Sequence, residues 1–229
     1  MRIVVLTGAG ISAESGLRTF RAEDGLEDGL WEDHRIEDVA TPEAFVRDPA
    51  LVHRFYNARR TAAAQAQPNA AHRALADLAK RHDLTLVTQN VDDLHERGGS
   101  SDVIHMHGEL TSALCAACGH RWPSPADTDT TMLCPACGTA AVRPDIVWFG
   151  EMPYHMEQIW AAIEQADIFA AIGTSGQVYP AAGFGQHARR SGAHCVELNL
   201  DRSAVSRDFH EHLIGPATQI VPEWVARLG

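Results

Sequence analysis

A chain of 229 residues is long enough to bury a sizeable core, as one domain with a large insertion or as a large and a small lobe. Its 19 Lys and Arg against 30 Asp and Glu give a formal net charge of -11 with no long basic run, which argues against nucleic acid as a direct partner. No apolar stretch reaches the roughly 20 residues of a bilayer span, and Met1-Arg2 leads straight into a strand-like run, so a soluble cytoplasmic protein with no membrane partner is expected.

Arg2-Ile-Val-Val-Leu6 reads as a β-branched strand that breaks into Thr7-Gly8-Ala9-Gly10-Ile11-Ser12-Ala13-Glu14-Ser15-Gly16. Strand, glycine turn and helix start in succession are the layout of a dinucleotide fingerprint. Gly8 and Gly10 would let the backbone approach a pyrophosphate, and Ala13 fits the small third position. A plain tight turn would use the glycines as well. A hydride-transfer enzyme would add an acidic residue at the end of a second strand about 20 residues on. No strand is expected there, and residues 21–67 read as an insertion.

The insertion opens acidic, from Ala22 to Asp38, with a near-repeat, Gly25-Leu-Glu-Asp28 and Gly29-Leu-Trp-Glu32, that suggests a loop. Thr41-Pro42-Glu43 opens a short helix and Asp48-Pro49 a longer one to about Gln67, each with a capping side chain and proline at the first helical position. Tyr56 and Arg59 share a face of the longer helix. The pair could receive one carboxylate, or the guanidinium could lie over an aromatic ring at the surface. Arg54 and Arg60 read as solvated. Asn69 caps a third helix with an apolar stripe of Ala74, Leu75, Leu78 and Ala79, and Leu84 to Thr88 is a second strand.

That strand runs into Gln89-Asn90-Val91-Asp92-Asp93-Leu94-His95, closely followed by His105-Met106-His107-Gly108-Glu109. Amides, a carboxylate and an imidazole at a strand end suit a catalytic crevice, although such residues also serve local hydrogen bonding. Cys115-Ala-Ala-Cys118 and Cys134-Pro-Ala-Cys137 form C-x₂-C-x₁₅-C-x₂-C. This spacing predicts one structural Zn²⁺ held by four thiolates, with no position left for water or substrate, and two matched pairs argue against a redox dithiol. Coming directly after His107, the zinc module should pack beside the crevice. Cys195 reads as a small buried hydrophobe.

In the C-terminal half, Arg143 to Glu151 is an extended apolar run. Asp167-Ile-Phe-Ala-Ala-Ile172 is a buried strand ending in Gly173-Thr174-Ser175, His194 to Leu198 another ending in Asn199-Leu200-Asp201, and Thr218 to Val221 a last short one. Strands alternating with helices at these lengths predict an α/β fold with a doubly wound parallel sheet. Asn199 or Asp201 could supply the ribose contacts.

Together these motifs resemble the sirtuin family, the NAD-dependent protein lysine deacylases, across essentially the whole chain, and the bacterial deacylases especially. The resemblance is carried by Gly8 to Gly16 with Phe20-Arg21, by Gln89-Asn-Val-Asp92, His105-Met-His-Gly108, the four cysteines, Phe149-Gly-Glu151 and Gly173-Thr-Ser175, all in the family's order. It implies a Rossmann-like NAD-binding domain (1–21, 68–110 and 143–229). The smaller inserted lobe would combine a helical module (22–67) with the four-cysteine zinc module (111–142).

The chemistry implied is attack of the acyl-lysine carbonyl oxygen on the nicotinamide ribose and departure of nicotinamide. His107 then acts as a base on a ribose hydroxyl, giving nicotinamide, free lysine and O-acyl-ADP-ribose. Asn90 and Asp92 would position the ribose and the nicotinamide amide, Phe20 would cover the site, and Arg21 would meet phosphate. Gly8, Ala9, Gly10, Glu14, Gln89, Val91, Gly173, Thr174, Ser175, Asn199, Leu200, Asp201 and Ala217 would line the remaining length of NAD. Val147, Phe149, Gly150, Glu151, Gly176 and Val178 would hold the acyl-lysine peptide as an added strand. Tyr56 and Arg59 look like the Tyr-x-x-Arg pair of the branch that removes succinyl and malonyl groups, with acetyl removed as well.

The expected partners are acyl-lysine proteins, and the chain is expected to be a monomer. Val91 stands where the family usually has Ile, and the near-repeat lengthens the cofactor loop. A silent NAD-binding module would not need His107. A zinc-stabilised interaction protein would leave the glycine loop and Gln89 to Asp92 without a purpose, while a mono-ADP-ribosyl transferase would share the first chemical step.

Overall fold

Strand residues that alternate in the sequence separate onto two faces of one sheet. Val4 and Leu6 bury on one side with Phe169 and Ala171, while Ile3 and Val5 bury on the other with Ala170 and Ile172. The computed structural model describes residues 1–18, 30–31 and 34–229, the pair 30–31 through its backbone alone.

In chain order the elements are β1 (Arg2–Thr7), β2 (Leu30–Trp31), β3 (His34–Arg35), α1 (Ile36–Val39), α2 (Pro42–Arg47), α3 (Pro49–Gln65), α4 (Ala70–Ala79), β4 (Asp83–Thr88), α5 (Leu94–Arg97), β5 (Ile104–His105), β6 (Gly108–Cys115), β7 (Arg121–Pro123), β8 (Val142–Ile146), α6 (Met156–Glu164), β9 (Ile168–Ile172), α7 (Phe184–Arg190), β10 (His194–Asn199), β11 (Glu211–Ile214) and α8 (Ala217–Arg227).

The main sheet is parallel throughout, in the order β11-β10-β9-β1-β4-β5. Helices α6 and α7 cover one face through Ile159, Ile163, Phe184 and Ala188, and α4 and α8 cover the other through Leu75, Leu78, Val221 and Trp224. This is the doubly wound Rossmann-like arrangement expected. A second, antiparallel sheet, β7-β6-β8, carries the cysteine pairs. A third cluster joins the helical segment to it, with Val52, Phe55 and Tyr56 of α3 against Leu110, Ile146 and Trp148. Among the described residues no helix is long and apolar enough to cross a membrane.

The caps act as read. Thr41 accepts from the Ala44 amide (3.0 Å), Asp48 from Leu51 (2.9 Å) and Asn69 from Ala71 (2.9 Å).

Several expectations need correction. The glycine loop leads into two 3₁₀ turns, Ala9–Ile11 and Ala13–Ser15, ended by Gly16 at φ 87°, and not into an α-helix. The interval expected to hold no strand contains the two-residue ladder β2–β3. Ala79 is exposed, and the buried stripe of α4 is Ala71, His72, Leu75, Ala76 and Leu78. The run after Arg143 stays extended only to Ile146 and then turns, Glu151 N–H donating to the Trp148 carbonyl at 3.0 Å.

Thr218 to Val221 is not a strand but the first turns of α8. The β-branched run suggested extension, yet Glu14, 204 residues away, accepts from the Thr218 amide (2.9 Å) and hydroxyl (2.7 Å) and caps the helix from outside. The last strand is instead Glu211–Ile214 on the sheet edge. Arg60 is buried, not solvated: its Nε donates to Leu110 O (2.8 Å) and Nη1 to Asn57 Oδ1 (2.9 Å) and Ala126 O (3.1 Å). Arg54 is exposed as read. Of the near-repeat, residues 25–29 and 32 lie outside the described residues, while Leu30–Trp31 form β2 where a loop was expected.

Candidate active site

The winding of the main sheet reverses between β1 and β9, and open α/β sheets place ligands beyond the C-terminal ends of the strands at such a switch point. Three glycines make the two strand ends meet there. The Gly8 and Gly10 amides donate to the carbonyls of Ile172 and Gly173, both at 2.9 Å. A Cβ on Gly10 would stand 2.7 Å from the Gly173 Cα, and Gly173 sits at φ 65°, where side chains are strained. Their first duty is close packing of two loops.

Beside this junction opens a cleft of about 570 Å³. Its walls include Gly8, Ala9, Gly10 and Glu14 from the first loop, Gln89, Asn90, Val91 and Asp92 after β4, and His107 after β5. Gly173, Thr174 and Ser175 follow β9, Asn199, Leu200 and Asp201 end β10, and Ala217 starts α8. Tyr56, Arg59, Val147, Phe149, Gly150, Glu151 and Val178 line the same cleft. Gly176 is not among the lining residues, although Ser175 and Val178 are, and a Cβ on it would come 2.5 Å from Val205 Cγ2. Phe20 and Arg21 lie outside the described residues.

His107 is held by one bond, its Nδ1 lying 3.1 Å from the Gln89 carbonyl oxygen. A carbonyl can only accept, so Nδ1 carries the hydrogen and Nε2 keeps its lone pair. Burial pushes the imidazole below its ordinary value, outweighing the bond to Gln89, and keeps it neutral. His105, two residues earlier, has the opposite surroundings. Burial lowers it too, but Glu96 at 2.7 Å and the Asn90 carbonyl at 3.3 Å take both ring N–H groups and raise it overall.

Asp92 and Asn90 hang from Ser12. Asn90 Nδ2 donates to Ser12 Oγ (3.2 Å), and Ser12 donates to Asp92 Oδ2 (3.3 Å), whose other oxygen accepts from the Leu94 amide (3.2 Å). Burial raises the Asp92 carboxyl in spite of these donors. His72 closes the set from below, accepting from the Asn69 amide at Nδ1 (3.2 Å) and meeting Ser12 Oγ at 3.4 Å. Buried, it falls to about 4.

At the far end, both hydrogens of the Asn199 amide are engaged, by Thr174 O (2.9 Å) and Glu197 Oε1 (3.2 Å), so Asn199 turns its oxygen to other partners. Glu197 is fully buried yet held below the usual carboxylate range, because Ser203, Ser206 and His212 donate to it and overcome the desolvation.

The four cysteines converge. Their Sγ atoms all lie within 4.8 Å of one another, with 3.7 Å between Cys115 and Cys137 and 3.8 Å between Cys118 and Cys134. The edge of a tetrahedron with Zn–S bonds of about 2.3 Å is about 3.8 Å, so the donor set fits a structural zinc. Gly119 and Gly138 at φ 73° and 71° turn the two knuckles identically. Thr139, by hydroxyl and amide, draws the Cys137 thiol down towards the thiolate a metal needs. Strands β6 and β8 run from these knuckles to the cleft, where Gly108 pairs with Ile146 and the Val147 amide donates to the His107 carbonyl (2.9 Å). Cys195 is fully buried, its thiol pushed up to about 11.

On the wall formed by β8 and α3, Tyr56 is fully buried and its phenol pushed well above its ordinary value. Arg59 sits over the Phe55 ring, 5.8 Å from its centre, and also lines the cleft. Sequence reasoning missed Ser12, Trp148, Glu197 and His72. Ser12 was within the quoted loop, but the partners that reveal its duty lie 60 and 80 residues away.

A model of the Sir2 family matches residues 8–180. The chain is 57% identical over 232 residues to an NAD-dependent protein deacylase of Escherichia coli (strain K12), covering 99% of this chain and 82% of that protein. It is 54% identical over 230 residues to one of Bdellovibrio bacteriovorus, covering 98% and 95%. Among solved structures, a Sir2 homolog in complex with NAD aligns at TM-score 0.89 and 39% identity over 99% of this chain and 88% of that one. A Sir2, p53 peptide and NAD+ complex aligns at 0.80 and 28%, covering 99% and 93%. With a family model matching residues 8–180 and relatives more than half identical over nearly the whole chain, the chain belongs to the Sir2, or sirtuin, family.

Proposed function

We propose that this protein is an NAD-dependent protein lysine deacylase that removes acetyl and acidic acyl groups, succinyl and malonyl among them, and forms nicotinamide and O-acyl-ADP-ribose. The observation that carries the reading is a single cleft lined by a neutral His107 with its Nε2 lone pair available, by the Asn90–Ser12–Asp92 set, and by Tyr56 with Arg59. The relatives named as NAD-dependent protein deacylases support it.

Bound NAD supplies the glycosidic bond whose cleavage lets the acyl oxygen join the ribose. The chain's part is to orient and to move a proton. Asn90 and Asp92, fixed through Ser12, hold the reacting ribose and the carboxamide of the leaving base. His107 Nε2 takes the proton from a ribose hydroxyl, and Gln89 keeps its ring in the right tautomer. Asn199, its amide hydrogens engaged, offers an oxygen to the hydroxyls of the other ribose. Phe20 and Arg21 are assigned to covering the site and meeting phosphate.

Phe149 and Tyr179, 44% and 76% exposed, give the cleft mouth an apolar rim on which an acyl-lysine chain can lie. The Phe149 amide is already engaged by the Ala40 carbonyl (3.0 Å), so an added peptide strand takes its bonds from the rest of the mouth. The Arg59 guanidinium with the Tyr56 phenol suits a terminal carboxylate, which can take a charge-assisted bond that an acetyl methyl cannot. We assign 22–67 and 111–142 together as the small lobe that carries this wall.

The test is steady-state turnover of one peptide bearing acetyl-lysine or succinyl-lysine, with and without NAD, for wild type and Arg59→Met. NAD-dependent release from both, with succinyl activity selectively lost in the variant, is expected. Label from NAD remaining on protein would favour ADP-ribosyl transfer, and no release from either peptide would end the deacylase reading.

A further inference from the structure

We infer that Trp148 is a specificity-determining residue that acts by positioning the Tyr56 phenol, an inference that rests on the acidic-acyl reading of Tyr56 and Arg59. The indole Nε1 lies 3.0 Å from Tyr56 Oη, across 92 residues of chain. An indole N–H can only donate, so the phenol oxygen accepts and the phenol hydrogen is directed away from the indole. Tyr56 therefore presents one defined face, and Trp148 chooses it.

The indole is itself held from several sides. It is 2% exposed, the Arg143 guanidinium stacks 3.5 Å from the ring centre, and Phe45 packs at 5.3 Å. The Trp148 amide donates to Glu151 Oε2 (2.8 Å), and the Glu151 carboxylate grips Arg143 through two bonds of 2.7 and 2.9 Å. Arg143 also donates to the Ile146 carbonyl (2.7 Å). The clamp closes the turn after β8 around the indole, so the direction of its N–H is set by the backbone of the zinc-bearing sheet. Phenylalanine at 148 would keep the packing and the stacking while deleting the donor. An acyl group with a terminal carboxylate would then meet a phenol that has lost its indole donor, whereas an acetyl group has no polar end to be affected.

The experiment compares KM and kcat for acetyl-lysine and succinyl-lysine forms of one peptide at saturating NAD, in wild type, Trp148→Phe, Tyr56→Phe and the double variant. Trp148→Phe is expected to raise KM for the succinyl peptide roughly five- to tenfold, the size of one neutral hydrogen bond, and to move the acetyl values by less than about twofold. The double variant is expected to lose no more than Tyr56→Phe alone. Equal losses on both peptides, or losses that multiply in the double variant, would overturn the proposal.

Wild-type protein gives a second readout that does not depend on the folding of Trp148→Phe. The Trp148 indole ¹⁵N–¹H resonance should shift when Tyr56 is changed to Phe, and an unmoved resonance would also overturn it. Arg59→Met separates the layers. If that variant keeps its succinyl activity, the acidic-acyl reading fails and takes this inference with it. If it loses that activity while Trp148→Phe is indifferent, the inference alone fails.

Discussion

Two histidines two residues apart show how far local surroundings decide chemistry. His105 gives both ring hydrogens to acceptors and is raised, while His107 gives one to the Gln89 carbonyl, is buried and is lowered. If His107 is the base, as proposed, it must be neutral, and its protonation would remove the lone pair and with it the activity. On the acid side, kcat/KM should fall as pH drops through the His107 pKa, and burial puts that midpoint below the ordinary imidazole value of about 6.5. A midpoint above that value would exclude His107 as the base. His107→Tyr should lower turnover by at least about 100-fold while Tm shifts little, because the side chain faces a cleft and not a core. Both histidines were plain in the sequence. Their opposite protonation was not, because it depends on Glu96 and on the Gln89 carbonyl being brought against them.

Among the elements, α3 shows the limit of reading side chains by type. Both of its ends were foreseen from Asp48-Pro49 and from Pro68, since a cap and a proline act on the backbone next to them. Arg54 and Arg60 looked alike, yet only Arg60 is buried, tying α3 to Leu110 of the small sheet and to Ala126. Burial lowers its guanidinium, partly offset by Asp127. Arg60→Met leaves the buried Leu110 carbonyl without this donor and cuts the ties to Asn57 and Ala126, and is expected to destabilise the fold by roughly 1–3 kcal/mol, against at most about 0.5 kcal/mol for Arg54→Met. Urea unfolding of the two variants measures the difference, and equal midpoints would contradict the placement. Helix α8 teaches the same lesson in reverse, since a cap supplied by Glu14 leaves no mark in the neighbouring sequence.

At the scale of the whole molecule, the zinc cluster and the cleft are the two ends of one antiparallel sheet. The cysteines close the far end of β6 and β8, and the near end carries His107 and the Val147–Trp148 wall. A zinc held by the four thiolates would therefore support the cleft through geometry. Cys134→Ser should lose bound metal and turnover together, while the six-stranded sheet, which shares no strand with the cluster, keeps most of its far-UV circular dichroism signal. A variant free of zinc and fully active would refute this coupling.

Wherever the physics is local, the sequence by itself determined the outcome: the β-branched first strand, the helix caps, the glycines at the switch point and the paired cysteines. Period and spacing act over a few residues, and these features need nothing more. Tertiary structure alone decided what depends on distant partners. It turned Thr218 to Val221 into a helix, buried Arg60, packed Gly176 against Val205, engaged the Asn199 amide from Thr174 and Glu197, and set the Trp148 indole against the Tyr56 phenol. Each of these rests on a hydrogen bond or contact between segments that only the folded chain brings together, and its donor or acceptor has no signature at the residue it controls.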